Sequence, residues 1–308
     1  MRKIIVTGAT SMLGTALIEV AVENKTEVYA LIRKDTKRMD RLVESPFVRV
    51  VYGDLTSLKE VNDLPQDCDT FYHFAWAGTN KAERDNPTIQ ESNIRYTLDA
   101  VELAHNCGCK KFIGSGSQAE YGPTDGLIDD DTRFAPATSY GASKHAAGLL
   151  SRKLCEKYKM THIWGRIFSV YGPHDNEGTM LNYAIEQFSK GEEAKFSSAT
   201  QMWNYLYEKD AGYIFYLLGA LINHSDEYRI ASDISKPLRD YIVKVAKIMN
   251  SEELCVFSGH KDSDAHVYGI ETCDNRLFKD IGFHPQVGFD DGIKIIIDSR
   301  SSFAGTGY

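Results

Sequence analysis

The first half of the chain alternates short, β-rich apolar runs with longer stretches whose apolar residues recur at spacings of three and four. Residues 3–6, 27–32, 47–52, 70–74 and 111–114 read as strands. Each is continuous rather than alternating in polarity, the pattern of a parallel strand covered on both faces. Between them, residues 13–24, 57–64, 88–106 and 139–158 read as helices, and further strands are predicted at 162–168 and 228–230. Repeated βα alternation predicts an α/β fold built on a doubly wound parallel sheet. After Tyr171-Gly172-Pro173 the pattern shifts to helices at 179–190, 210–223 and 238–249, mixed with short turn-rich pieces. This predicts a sheet domain over residues 1–172 and about 205–231, with a smaller C-terminal substrate lobe from about 173–204 and 232–308. The tail from residue 299 is expected to fray.

Composition narrows the class of function. The 308 residues leave ample core for one large or two modest domains, and 35 basic against 43 acidic residues give a net charge of −8. Without a basic block, nucleic acid and anionic membranes are not expected partners. The longest apolar run, residues 213–222, contains a glycine and falls well short of the ~18 residues of a membrane span. Only three consecutive apolar residues, Ile4 to Val6, precede Thr7-Gly8, so no signal peptide is expected, and the expected location is the cytoplasm. Six scattered cysteines form no CxxC pair. They are expected to be reduced thiols, and no metal site is expected.

The first strand runs into Thr7-Gly8-Ala9-Thr10-Ser11-Met12-Leu13-Gly14 and then a helix. A glycine at such a junction lets backbone approach a pyrophosphate, and the helix N-terminus offers free N–H groups and a positive dipole end. The candidate phosphate contacts are Gly8, Thr10, Ser11, Met12, Leu13 and Gly14. The second strand ends in Arg33-Lys34 rather than in an acid, which favours NADP(H) over the alternative, NAD(H), because arginine suits a 2′-phosphate. Asp54 and Leu55, after the third strand, are candidates for the adenine end.

Tyr140 and Lys144 lie four apart at the start of a predicted helix and so share a face. A positive charge beside a phenol lowers its pKa toward the working range of a general acid or base. Upstream, the strand at 111–114 ends in Ser115-Gly116-Ser117 at the carboxyl edge of the sheet, where ligands bind in such folds. Ser117 is the first candidate to hold a substrate oxygen against Tyr140, and Ser115 the second.

Together these pieces resemble the extended short-chain dehydrogenase/reductases, the NAD(P)-dependent nucleotide-sugar epimerases, dehydratases and 4-ketoreductases. The resemblance rests on Thr7-Gly8-Ala9-Thr10…Gly14, Gly53-Asp54-Leu55, Tyr72-His73-Phe74-Ala75, Asn93, Ser117…Tyr121-Gly122, Tyr140…Lys144, Val170-Tyr171-Gly172-Pro173, Tyr205…Asp210 and Leu277…Gly282-Phe283-His284-Pro285, which span nearly the whole chain. It implies a Rossmann domain and a catalytic set of Ser117, Tyr140 and Lys144, with Lys144 bridging Tyr140 and the nicotinamide ribose. Phe74, Ala75 and Asn93 would line the cofactor site, with Asn93 steadying the helix and a water near Lys144. Trp76, Gln118, Ser169 and Trp203 are the candidate contacts to a nucleotide-activated sugar. It also implies a homodimer through the helices at 88–106 and 139–158. Several positions depart from the family pattern. Ser11 replaces a glycine, Gln118-Ala119 replaces the Asp-Glu pair of the dehydratases, and Ser169 and Trp203 replace an asparagine and an arginine common among relatives. The expected activity is therefore 4-ketoreduction of a sugar, with C4 epimerisation and reduction of small carbonyl compounds as alternatives.

Overall fold

The computed structural model describes residues 1–80, 82–124, 126–258, 271–272 and 275–304. Strands β1 (Lys3–Thr7), β2 (Glu27–Ile32), β3 (Val48–Tyr52), β4 (Thr70–His73) and β5 (Lys111–Ser117) are followed by a short β6 (Leu127–Ile128), then β7 (Thr161–Ile167) and β8 (Ser169–Tyr171). Beyond them come β9 (Ala194–Phe196), β10 (Met202–Tyr207), β11 (Asp226–Ile230), β12 (Ser235–Pro237), β13 (Cys255–Phe257) and β14 (Glu271–Thr272). The helices are α1 (Met12–Glu23), α2 (Pro87–Asn106), α3 (Ser139–Tyr158), α4 (Met180–Lys190), α5 (Glu208–Leu221), α6 (Leu238–Ile248), α7 (Asn275–Ile281) and α8 (Phe289–Ala304).

Seven strands form one parallel sheet in the order β3-β2-β1-β4-β5-β7-β11. The order reverses between β1 and β4, and in such sheets the crevice at that switch point is where ligands sit. Core side chains pack on both faces. One apolar cluster joins Ile4, Val6 and Tyr72 to Leu13 and Leu17 of α1 and Ile214, Phe215 and Leu218 of α5. The other joins Ile5, Phe71 and Phe112 to Val101 and Ala104 of α2 and Cys155 of α3. Covering on both faces is why β1, β4 and β5 read as unbroken apolar runs.

Three expectations need correction. β3 is an edge strand with Val50 39% and Tyr52 54% exposed, so its continuous apolar run does not mark burial on both faces. The segment at 57–64 is no α-helix: a 3-10 helix spans Leu55–Glu60, capped by Asp54 and kinked at Ser57, and only Leu58 of it is buried. The tail expected to fray from residue 299 is helical as far as Ala304, and residues 305–308 lie outside the described residues.

Beyond Pro173, α4, α6 and α8 enclose a separate apolar cluster of Leu181, Ile185, Phe188, Ile242, Val245, Ile293 and Ile296. α5 and β11 return to the sheet. β10 pairs in parallel with β8 and antiparallel with β12, an arrangement the short turn-rich pattern did not reveal. The Asp210 carboxylate accepts the backbone N–H groups of Gln286 at 3.1 Å and Val287 at 2.9 Å, tying the Tyr205…Asp210 motif to the chain after Pro285. Five cysteines are free thiols, four of them buried, and Cys273 lies outside the described residues. No helix among the described residues is long and apolar enough to cross a membrane.

Candidate active site

The β1–α1 junction is built almost entirely from backbone. Gly8 sits at φ +67°, and a Cβ there would lie 2.7 Å from the Ala75 nitrogen. A Cβ on Gly14 would meet the Gly8 carbonyl oxygen at 2.2 Å. Only glycine allows the turn, the helix start and the end of β4 to approach this closely. Ser11 has φ −77° and ψ 161°, an ordinary extended conformation, so no glycine is needed there. It is the N-cap of α1, its Oγ accepting the Gly14 N–H at 3.1 Å. The N–H groups of Met12 and Leu13, in the first turn, have no partner within the helix. This close-packed junction, with donors and a positive helix end at the sheet's switch point, fits a dinucleotide pyrophosphate.

At the adjoining end of β2 and β3, a cleft of about 570 Å³ is lined by Arg33, Lys34, Asp35, Tyr52, Asp54 and Ser57, among others. The exposed Arg33 lies 3.6 Å from the Asp35 carboxylate. Asp54 accepts the Thr56 hydroxyl at 2.7 Å and its N–H at 2.9 Å. These bonds hold its carboxyl below the usual range, so it is an anion. Leu55 opens the 3-10 helix that Asp54 caps. Phe74 and Ala75 follow β4 beside Gly8.

The catalytic candidates converge on the carboxyl end of β5. Ser117 closes that strand and caps the short 3-10 helix Gln118–Glu120, its Oγ accepting the Ala119 N–H at 3.2 Å. The Ser117 hydroxyl also donates to Gln118 Oε1 at 3.2 Å. Tyr140 lies in the first turn of α3, capped by Thr138, and Lys144 follows one turn later. The Trp76 ring stands edge-on to Tyr140 with centroids 6.0 Å apart, held by an Nε1–H bond to Gln90 at 2.9 Å. Trp76 thus packs beside Tyr140.

Two features differ from the sequence expectation. Lys144 is nearly fully buried and donates to the Ser115 carbonyl at 2.7 Å and the Ser115 hydroxyl at 3.3 Å. Its Nζ sits 3.8 Å above the Trp76 ring but 5.8 Å from the Tyr140 ring centre. Burial pushes its pKa down to about 7, so the ammonium is only partly charged at neutral pH. Burial also raises the Tyr140 phenol above its ordinary value, opposed by Arg84 and by the Ser117 hydroxyl. The expected lowering of Tyr140 by Lys144 is therefore not what this arrangement produces. Ser115 serves as the anchor of Lys144.

Asn93 is completely buried. Its amide accepts the Ala77 N–H at 2.8 Å and donates to the Ala77 and Ile89 carbonyls, pinning the chain that carries Trp76 onto α2. His73 is equally buried between Thr7 and Thr97, and burial lowers its pKa to about 3, so it stays neutral and structural. Glu120, next to the pocket in sequence, accepts from the Ser117 N–H, Trp164 Nε1 and Arg166 Nε at 2.8 to 3.0 Å. Burial opposes its ionisation, but His145, Arg166, Ser117 and Trp164 outweigh it and hold the carboxyl below its usual range.

Ser169 and Trp203 lie on the neighbouring strands β8 and β10, with Ser169 opposite Tyr205. Trp203 packs against Tyr121, Ile128, Phe168 and Ala231. Sequence reasoning missed Arg84, whose guanidinium carbon lies 4.2 Å from the Tyr140 ring centre. No spacing rule links residues so far apart in the chain.

The sequence and fold are shared with known proteins. The sequence profile of the NAD dependent epimerase/dehydratase family matches residues 4–231. The ADP-L-glycero-D-manno-heptose-6-epimerase of Nitratidesulfovibrio vulgaris is 27% identical over 274 residues, covering 80% of this chain and 81% of that protein. The dTDP-4-dehydro-6-deoxyglucose reductase of Escherichia coli is 22% identical over 309 residues, covering 96% of each. The structure of UDP-glucuronic acid 4-epimerase from Bacillus cereus, solved in complex with NAD, superposes with a TM-score of 0.83 at 20% identity, covering 99% of this chain and 98% of that one.

Proposed function

The chain belongs to the NAD dependent epimerase/dehydratase family, and within that enzyme family we propose a cytoplasmic oxidoreductase acting at C4 of a nucleotide-activated sugar, working as a 4-ketoreductase with NADP(H). Bound at the switch point, the nicotinamide supplies the hydride carrier. Gly8, Thr10, Ser11, Met12, Leu13 and Gly14 would hold the pyrophosphate, Asp54 and Leu55 the adenine, and Arg33 and Lys34 a 2′-phosphate. Phe74 and Ala75 would border it, Asn93 would support that border through Ala77, and Lys144 would reach the ribose.

The observation that carries the reading is the convergence of Tyr140, in the first turn of α3, and Ser117, at the end of β5, on one edge of the sheet. With its pKa raised by burial, Tyr140 keeps its proton at neutral pH and can give it to a developing alkoxide at C4, while Ser117 orients that oxygen. The neighbouring carboxylate is not free to act as a second acid. Glu120 is ionised and bound to Arg166, Trp164 and the Ser117 N–H, and Gln118 and Ala119 bring no acidic group. Dehydration needs an acid to protonate the departing hydroxyl, whereas reduction does not. Trp76, Gln118, Ser169 and Trp203 are assigned to the sugar nucleotide. A homodimer through α2 and α3 is part of the reading, supported by Leu149 and Leu150, 49% and 46% exposed on α3. A monomer mass in light scattering would remove it.

The test is to supply purified protein with NADPH and a 4-keto-6-deoxy nucleotide sugar and follow NADPH absorbance. Stoichiometric oxidation is expected, with Tyr140→Phe reducing turnover by ~100-fold or more while dinucleotide binding persists. Interconversion of C4 epimers with no net change in NADPH would replace reduction by epimerisation.

A further inference from the structure

We propose that Lys236, on the edge strand β12, is the cation that holds the diphosphate of the nucleotide-activated sugar. The inference rests on the nucleotide-sugar reading of the site and names the group that would meet the substrate's charge.

The diphosphate of a sugar nucleotide is anionic at neutral pH, and such a group is held by charge-assisted hydrogen bonds from lysine or arginine. The two strand residues assigned to the sugar nucleotide, Ser169 on β8 and Trp203 on β10, are both uncharged. Lys144 is assigned to the other end, at the ribose of the dinucleotide. The charge therefore has to come from a neighbour that shares a face with Ser169 and Trp203.

Strand register supplies that neighbour. β10 runs between β8 and β12, and in its antiparallel pairing with β12 Trp203 lies directly opposite Lys236. Residues opposite one another on paired strands share a face, with Cβ atoms about 5 Å apart. The parallel pairing on the other side sets Ser169 opposite Tyr205, two residues on from Trp203 and so on the same face. At Trp203 this face meets the active-site edge: the indole packs with Tyr121 and Phe168, and Tyr121 directly follows the 3-10 helix that Ser117 caps. Ser169, Trp203 and Lys236 thus form a diagonal across three strands that starts beside the catalytic candidates.

The backbone that carries Lys236 is fixed on both sides. The buried Asn204 amide donates to the carbonyls of Ser232 at 2.9 Å and Ile234 at 3.1 Å and to the Ser235 hydroxyl at 3.2 Å. Beyond Lys236, the Leu238 N–H donates to the Gln201 carbonyl at 2.9 Å. The Lys236 side chain is exposed and has no carboxylate partner among the described residues. Lys195 and Lys244 of the same lobe are paired with Glu193 and Asp290. Arg239, the next cation along, has its guanidinium carbon 3.8 Å from the ring centre of Phe257 on β13. An anion arriving at Lys236 displaces no ion pair, and a fixed strand leaves only the side chain to be ordered.

Calorimetry on the full-length protein saturated with dinucleotide tests this with UDP, dTDP, GDP, CDP and ADP, each set against its monophosphate. The wild-type protein is expected to bind at least one diphosphate, and Lys236→Met to bind it about tenfold more weakly, the scale of one charge-assisted contact. The monophosphate should lose less. Lys236→Arg should restore most of the affinity, and Arg239→Gln should weaken the diphosphate less than Lys236→Met does. If Lys236→Met keeps the wild-type affinity, or Arg239→Gln costs more, the proposal is wrong and the nucleotide-sugar reading stands. If the wild-type protein binds none of the five diphosphates, that reading falls and the proposal with it, a result that no comparison among variants can produce.

Discussion

The dinucleotide cradle and the acid/base pocket share one edge of the sheet but are assembled in opposite ways. The cradle is a continuous run, Thr7 to Gly14, built chiefly of backbone groups against backbone groups, with Thr7 bonded to His73 and Ser11 capping its own helix. The pocket is gathered from β5, α3, the chain after β4 and the turn before α2, and its properties come from side chains that burial and charge modify. The cradle should therefore be intolerant of added bulk and indifferent to pH. The pocket should tolerate shape-preserving changes while responding strongly to charge.

The severest way to break the contrast is Gly14→Val. The new Cβ would fall 2.2 Å from the Gly8 carbonyl oxygen, and backbone cannot swing aside as a side chain can. Overpacking of this kind costs ~1–3 kcal/mol or more. A marked fall in thermal midpoint and loss of dinucleotide binding by calorimetry are expected. Retained binding would mean that the cradle is less tightly packed than described.

Lys144→Met probes the other region through pH. The unfolded chain keeps this lysine protonated up to about 10.5, the folded chain only to about 7. Between those values the unfolded state binds more protons, so stability rises with pH. Denaturant titrations should show wild-type stability gaining about 2 kcal/mol from pH 7 to pH 9 relative to Lys144→Met. Parallel pH profiles would show that the buried ammonium keeps its ordinary affinity for a proton.

Arg33→Gln sharpens the comparison at the outer end of the cradle, where side chains take over from backbone. The wild-type protein should bind NADP(H) ~10-fold more tightly than NAD(H), and the variant should lose most of that margin. Equal affinities before mutation would place Arg33 in solvent, paired only with Asp35.

The smallest effect is expected at Ser11→Gly, which restores the family's usual residue. Because Ser11 has an ordinary extended backbone, the change removes only a cap, and a serine-to-glycine replacement at an N-cap costs a few tenths of a kcal/mol. Ser11→Ala should cost about 1 kcal/mol in the same thermal assay. A large loss of dinucleotide affinity in either variant would give the hydroxyl a direct role in phosphate binding.

Local pattern carried much of this molecule. The helix at 139–158 and the strand at 27–32 coincide with α3 and β2, because their apolar periodicity, caps and bounding turns lie within a few residues of one another. The parallel order of the sheet follows from the same βα alternation. The pattern failed where a local cap competed with the helix and where partners are distant. Residues 57–64 have helical spacing, yet Asp54 starts a 3-10 turn that Ser57 kinks. β8, only Ser169–Tyr171, owes its existence to pairing with β10, and strands so short carry little periodic signal.

The candidate site divides along the same line. Ser117, Tyr140 and Lys144 were legible because strand end and helix start put them at one sheet edge. Their electrostatic state was not, because a pKa depends on burial and on charges that the fold brings in from elsewhere. Spacing placed Lys144 beside Tyr140, but the tertiary structure turned its ammonium to Ser115 and Trp76 and brought Arg84 over the phenol. Sequence by itself determined which residues stand at the edge of the sheet, since helical and strand periods are properties of the local backbone. Only the tertiary structure decided which charge the phenol feels, since Coulomb interactions and desolvation act through space.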